Sequence, residues 1–289
     1  VTTEEVTTEE VTTEEVTTEE VTTEESTTED SESGSTEDGT TQENNIQWKF
    51  DETTGTLTIS GSGAMEDYDG VAPWEDYCED IKKVVIEEGV TSIGNCAFGG
   101  CTSLTSIELP DSLTSIGDCA IIDCTSIASI EIPESVISIG DSAFYGCTSL
   151  TSIEIPNSVI SIGDRAFYNC VSLIDIEISN NVTSIEYYAF YNCASLINIE
   201  IPNSVTSIGS HAFSGCSNLT SIKIPNSVTS IGGSAFSDCN SLESITLPFI
   251  GNKPSGSERF GYIFNSFSLD NRSVPSSLKK VTLTNLTSI

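Results

Sequence analysis

Basic residues are scarce in this chain. Its 289 residues include 10 Lys and Arg against 44 Asp and Glu, a formal net charge of -34 at pH 7. Nucleic acids and anionic lipid surfaces are negative themselves and repel such a polyanion, so neither is expected as a partner. Histidine occurs once, at His211. One His offers little to a Ser nucleophile, and zinc sites need several Cys or His converging on one point. No apolar run approaches the ~18 residues of a membrane span, so no membrane insertion is expected. A nucleotide-binding glycine motif, an HExxH pair and a DxDxDG calcium loop are all missing. The chain therefore reads as a non-enzyme with no cofactor and no metal.

What is present is unevenly distributed. VTTEE occurs five times in succession from Val1, and Ser, Thr, Glu and Asp continue to about Asn45. Residues 1–45 hold 16 acidic residues and no Lys or Arg, which leaves -18 on the remainder. Five Val are the only apolar side chains before Ile46. They cannot offset roughly 1–2 kcal/mol per residue of lost backbone entropy, so 1–45 is expected to be a disordered acidic linker. Residues 46–83 differ. Trp48, Phe50, Leu57 and Ile59 alternate with polar residues around a DETTG turn at 51–55, the pattern of a strand hairpin. A short segment from Pro73-Trp74 to Ile81 follows, and 46–83 is expected to cap the core that comes next.

From 84 onward one period governs the chain. Cys101, Cys124, Cys147, Cys170, Cys193, Cys216 and Cys239 recur at every twenty-third position. Ile107 and Ile93 each begin further columns with the same step, as does Phe98, whose column holds Ile121 once in place of Phe. Seven units fill 84–244, each reading roughly CxxLxxIxIPxSVxSIGxxAFxx. A fixed period of this length denotes a solenoid in which each unit buries its apolar side against its neighbours. The β-branched IxI stretch predicts a strand, closed by Pro at 110, 133, 156, 202 and 225. VxSI predicts a second extended piece, Gly a turn, and AFxxC a short helical or 3₁₀ return. Stacked IxI strands should form one continuous parallel sheet from 107 to 247, with Val84–Ile86 at its start.

These columns, Leu-Ile-Ile-Pro, Val-Ile-Gly and Ala-Phe-Cys, resemble the BspA-like, or Treponema-type, leucine-rich repeats over 84–244. The run from Trp48 through Gly63 and Pro73-Trp74 to Lys83 is similar to the lead-in before such repeats in secreted proteins of gut-dwelling anaerobes. The resemblance implies a leucine-rich-repeat solenoid, with a parallel sheet on one face and short extended, 3₁₀ or helical segments on the other. It also implies an extracellular or cell-surface location, a chain usually longer than this one, and adhesion in some relatives. No catalytic residue carries over from that family.

After Pro248 the step breaks. The next member of the Leu242 column would fall at 265, but the matching residue is Leu278, which marks an insertion of 13 within 249–277. The inserted stretch contains Phe260, Tyr262, Phe264 and Phe267. The solenoid is thus read as 84–289, regular over 84–244, irregular over 245–277 and truncated over 278–289. Without a signal-peptide pattern at Val1, and ending in mid-repeat at Ile289, the sequence is expected to be a mature form or excised piece. The Cys column reads as buried core thiols. Cys96 and Cys119, at equivalent places in adjacent units, could form a disulfide, whereas Cys78 has no evident partner.

Two surfaces are candidates for a partner. The outward residue of IxI is Glu108, Glu131, Glu154, Glu177 and Glu200, then Lys223 and Thr246, and Asp175 lies on the same side two residues before Glu177. Phe260, Tyr262 and Phe267 of the insertion form the second candidate, with Phe264 falling near the AF position and so assigned to the core. The reading is a monomeric binding or adhesion module recognising a protein or glycan on a host or neighbouring cell. The alternative is a structural spacer that displays a missing domain and has no ligand of its own.

Overall fold

Apolar columns that recur at one fixed step dictate that each turn of the chain lies directly on the previous one, and the computed structural model has that architecture. It describes residues 37–40, 45–69, 71–250, 260–265 and 274–284. Two units are distinguished, Val1–Ser35 and Thr36–Ile289. The first lies outside the described residues, as does most of the expected acidic linker. Glu37–Thr40, within that expected linker, is a strand antiparallel to Ile46–Asp51. Its ladder uses backbone groups alone, so apolar composition gave no sign of it.

Ile46–Asp51 and Thr56–Gly61 form the expected hairpin, in register from Ile46–Gly61 to Asp51–Thr56. Its turn needs Gly55, whose φ is 68° and whose added Cβ would stand 2.7 Å from the Asp80 carbonyl. Thr56–Gly61 then pairs in parallel with Lys83–Ile86, which pairs with Ser106–Glu108. From there the IxI strands stack coil by coil. Ser129–Ile130, Ser152–Glu154 and Asp175–Glu177 form one ladder, and Ser221–Lys223, Ser244–Leu247 and Lys280–Leu283 another.

This first sheet departs from expectation in not being one uninterrupted ladder. Strand pairing lapses between 108 and 129 and again between 177 and 221, where Ile199-Glu200-Ile201 contributes only a bridge from Glu200 to Lys223. Around the second gap the bonds between coils lengthen on this face. The Ile197 N–H reaches the Ile174 carbonyl at 3.4 Å and the Thr220 N–H reaches Ile197 at 3.3 Å, against 2.8 to 3.0 Å for Thr151 to Ala128 and Glu243 to Thr220. The gap coincides with Asp175 and Asn198 in the column that is Ser elsewhere in the regular repeats, and with Ser179 in place of Pro. None of the triplets is helical.

The VxSI pieces build a second parallel sheet from Gly63–Ala64 through Val90–Ile93 to Ser161–Ile162, resumed from Ser184–Ile185 to Ser230–Ile231. The third side, expected as a helical or 3₁₀ return, is neither. Among the described residues no α-helix occurs, and the only 3₁₀ turns are Glu75–Tyr77 and Phe260–Ile263. Instead each coil makes tight turns with two left-handed residues. One column is Gly100, Asp123, Gly146, Asn169, Asn192, Gly215 and Asp238. The other is Cys96, Cys119, Ser142, Arg165, Tyr188, His211 and Ser234, with φ between 54° and 59°. This twist aims N–H groups along the stack rather than back into their own coil. Ser142, Phe144 and Gly146 donate to Asp164, Ala166 and Tyr168, and the same triple recurs from coil to coil. The turn face is thereby the most continuously bonded side of the solenoid.

Between the three faces the columns meet. Leu, Ile, Val, Ala, Phe and Cys positions of the regular repeats are buried, except Leu109 and Ile178, which are partly buried. Phe144, Phe167, Phe190, Phe213 and Phe236 stack with centroids 5.3 to 5.5 Å apart and planes within 8°. At the first end Trp74 continues this column, stacked on Phe98 at 5.7 Å, and its Nε1 donates to the Ala97 carbonyl at 2.7 Å.

The cysteines correct one expectation. Cys96 and Cys119 are unbonded thiols, and the disulfide joins Cys78 to Cys101, with Cα atoms 4.2 Å apart. Cys78 precedes Cys101 by 23 residues and is the first member of the core column, which is why it has a partner after all. The six remaining column thiols are buried. Each donates to a carbonyl in the coil before, as Cys170 does to Phe144 at 3.1 Å.

Candidate functional site

The IxI strands hold their two Ile inward and the residue between them outward, and Glu108, Glu131, Glu154, Glu177 and Glu200 are all exposed. Strand register sets Glu154 directly beside Glu177 and Ser152 beside Asp175. Like charges directly opposite one another destabilise a sheet, by some tenths of a kcal/mol up to ~1 per pair, so this column is maintained against a local cost. At its beginning one charge is neutralised, since Lys83 Nζ lies 2.6 Å from Glu108 Oε1.

At the other end of the column the geometry changes. Where strand pairing lapses, the surface opens into a groove of about 840 Å³. Asp175, Glu177 and Glu200 line it together with Lys223, the Asn198 and Asn203 amides, and Pro202 and Pro225. The groove therefore offers three carboxylates, one ammonium and neutral amide donors over an apolar floor of Ile199 and Ile201. That mix suits directional recognition of a polar partner with some positive charge. Of the expected site residues, the structure brings Asp175, Glu177 and Glu200 together here. Glu108, Glu131 and Glu154 continue the stripe outside the groove. Among the described residues, no group of three or more His, Cys, Asp or Glu could hold a metal ion.

The insertion behaves differently from an exposed aromatic loop. Phe260 and Tyr262 are half-buried and pack against the core, and Phe264 is buried, 6.4 Å from Phe236. The Tyr262 and Ile263 carbonyls accept the Ser234 and Phe236 N–H groups, so this turn takes the place of the next coil. Phe267 lies outside the described residues.

A second surface was not anticipated. On the turn face Tyr145, Tyr168 and Tyr191 stack at 4.6 Å, and beside them Tyr188 packs between Arg165 and His211. The Tyr145 column keeps the same step as the core columns, which made it visible in the sequence. Tyr187 and Tyr188, which depart from the repeat, carried no such signal.

Comparison with known proteins follows this geometry. The family model described as the BspA type leucine rich repeat region matches residues 76–197 and 160–285. The solved leucine rich repeat protein of T. pallidum is 32% identical over 63% of this chain and 91% of its own, with a TM-score of 0.48. A leucine-rich repeat protein from Bacteroides ovatus is 26% identical over 83% of this chain and 76% of its own, with a TM-score of 0.52. Comparison with curated protein sequences gives no match. With its regularly stepped coils, its buried Leu, Ile, Phe and Cys columns and this match over most of its length, the chain belongs to the BspA-type leucine rich repeat family.

Proposed function

We propose that this chain is a binding module, secreted or held on a cell surface, that engages a protein or glycan on a host or neighbouring cell through its first sheet. The observation that carries the reading is the groove where the ladder lapses, because it gathers Asp175, Glu177, Glu200 and Lys223 on one opened surface. A monotonous spacer would have no reason to concentrate polar groups at one of the two places where its ladder lapses. No helix among the described residues is long and apolar enough to cross a membrane. Display on a cell would thus depend on something other than those residues.

The test is capture by the full chain from panels of extracellular matrix proteins and polysaccharides, followed by affinity measurement with the Asp175→Asn, Glu177→Gln, Glu200→Gln variant. These replacements keep size and hydrogen-bonding capacity while removing charge. Affinity should fall, and the weakening of binding by salt should flatten, because screening acts within about 8 Å at physiological ionic strength. Unchanged affinity with unchanged salt dependence removes this groove as the site.

A further inference from the structure

The second surface begins with glycine. Gly117, Gly140 and Gly163 occupy one column, and their φ values are ordinary, so turning is not why they are Gly. An added Cβ at Gly140 would stand 2.4 Å from Asp118 Oδ1, and at Gly163 2.3 Å from Asp141 Oδ1. The missing side chains make room for the preceding coil's backbone and for a ladder of Asn95 and the aspartates. Asp118 Oδ1 accepts the Asp141 N–H, Asp141 the Asp164 N–H, each at 2.7 Å, and Asp164 the Tyr187 N–H at 3.0 Å. Beside the ladder runs a shallow groove of about 530 Å³, floored by these glycines and edged by Ser115, Ser138 and Ser161.

The groove stops where the repeat departs from its pattern. Glu186 occupies the glycine position and lines the groove's end, its carboxylate accepting from the Ser184 hydroxyl. Tyr187 and Tyr188 follow at once. Tyr187 packs edge-on against Tyr188 at 4.1 Å, Arg165 lies 5.5 Å from both ring centres, and His211 stacks on Tyr188 at 4.7 Å. A Tyr and Arg cluster whose rings already pack on one another has the composition of an interface hot spot, and packed rings have less side-chain entropy to lose on binding. Tyr145, Tyr168 and Tyr191 stack on one another, which covers both faces of Tyr168 and one face each of Tyr145 and Tyr191. Sugars stack on ring faces, and most of these faces are already occupied. The groove wall carries Asp118, Asp141, Asp164 and Glu186 and no cation.

We propose that the glycine-floored groove and its tyrosine end-stop dock an extended, basic segment of a partner protein. Cationic side chains lie along the carboxylate wall, and the segment is anchored against Tyr187 and Tyr188. This surface shares no residue with the first-sheet groove, so either assignment can fail while the other holds.

The chain's single histidine makes the test site-specific. Nona-arginine, titrated into the full chain, should shift the His211 Hε1 resonance saturably, whereas peptide held elsewhere on this acidic molecule leaves it in place. The variant Asp118→Asn, Asp141→Asn, Asp164→Asn keeps the ladder acceptors, as Asn95 does when its Oδ1 accepts the Asp118 N–H at 2.7 Å. It should weaken the His211 response roughly tenfold or more. The charge-matched control Glu52→Gln, Glu79→Gln, Glu134→Gln should leave that response near wild type. A wild-type His211 resonance that does not move, equal affinity in the Asn variant, or a shift produced by maltohexaose in place of nona-arginine would each overturn the proposal.

Discussion

Truncating Phe167 to Ala probes the solenoid at its most interdependent point. The ring is fully buried, with Phe144 5.3 Å away on one face and Phe190 5.4 Å away on the other, all three planes within 3°. Phe-to-Ala changes in cores cost about 3–5 kcal/mol, combining lost transfer free energy with the cavity left behind. Two features favour the upper half of that range. Both ring faces lose a stacked partner, at about 0.5–1.5 kcal/mol per pair beyond area burial. The coil also cannot collapse into the gap, because Arg165, Phe167 and Asn169 are tied through their N–H groups to Tyr187, Ala189 and Tyr191 of the next coil. The measurement is guanidinium unfolding followed by circular dichroism, paired with amide exchange. Exchange should accelerate most at 144–190, since each coil's stability rests on its nearest neighbours. Phe167→Ile should recover much of the loss, because Ile121 occupies this column natively and is fully buried. A change in unfolding free energy under about 0.5 kcal/mol for Phe167→Ala would refute the reasoning, for no fully buried, doubly stacked ring should be that dispensable.

Two further outcomes are expected. Burial pushes the Cys124, Cys170 and Cys239 thiols up to about 12 and Cys147, Cys193 and Cys216 well above the usual thiol range, so in the native chain at pH 8 a thiol reagent should modify the half-exposed Cys96 and Cys119 first; mass spectrometry of the labelled chain reads the order. Asp141→Ala orphans the Asp164 N–H and should cost about 1 kcal/mol, whereas Asp141→Asn should stay near wild type; equal losses in denaturant titrations of the two would show that charge, not the acceptor, is what matters.

The repeat period made the inward residues legible in advance. Once Cys101 and Cys124 were aligned, every Ile, Leu and Phe column had to face in, and in the regular repeats all are buried except Leu109 and Ile178, which are partly buried. Asp175, Glu177 and Glu200 were legible as outward residues for the same reason. Their gathering in a groove was not, because it depends on a lapse in strand pairing of a few tenths of an ångström per coil, which no alternation of residue types encodes. The turn face was misread for a different reason. Left-handed backbone at Asp123, Asn169 and Asn192 fits residues that tolerate it, but Arg165, Tyr188 and His211 give no hint. There the conformation is imposed by neighbours, since a coil that places two residues in the left-handed region gains three bonds to the next coil. The AF pair also looked helical because Ala and Phe were considered alone, without the coil stacked above them. The glycine column shows a related error. It reads as a set of turn formers, whereas its members leave space for the closely approaching backbone of the preceding coil and, at Gly140 and Gly163, for that coil's aspartate as well.

Nearly every bond that joins two coils connects a residue with its equivalent one repeat on, or with a near neighbour of that equivalent. Removing one whole coil between Asp118 and Asp164 would therefore leave every surviving donor facing an acceptor of the same kind. The distance from the start of the carboxylate ladder to the Glu186–Tyr188 stop would shorten by one strand spacing of about 4.8 Å. The architecture thus works as a ruler with fixed graduations. Spacing along the surface can be lengthened or shortened by copying or losing a unit, and selectivity for a longer or shorter ligand can change without remaking a single core contact.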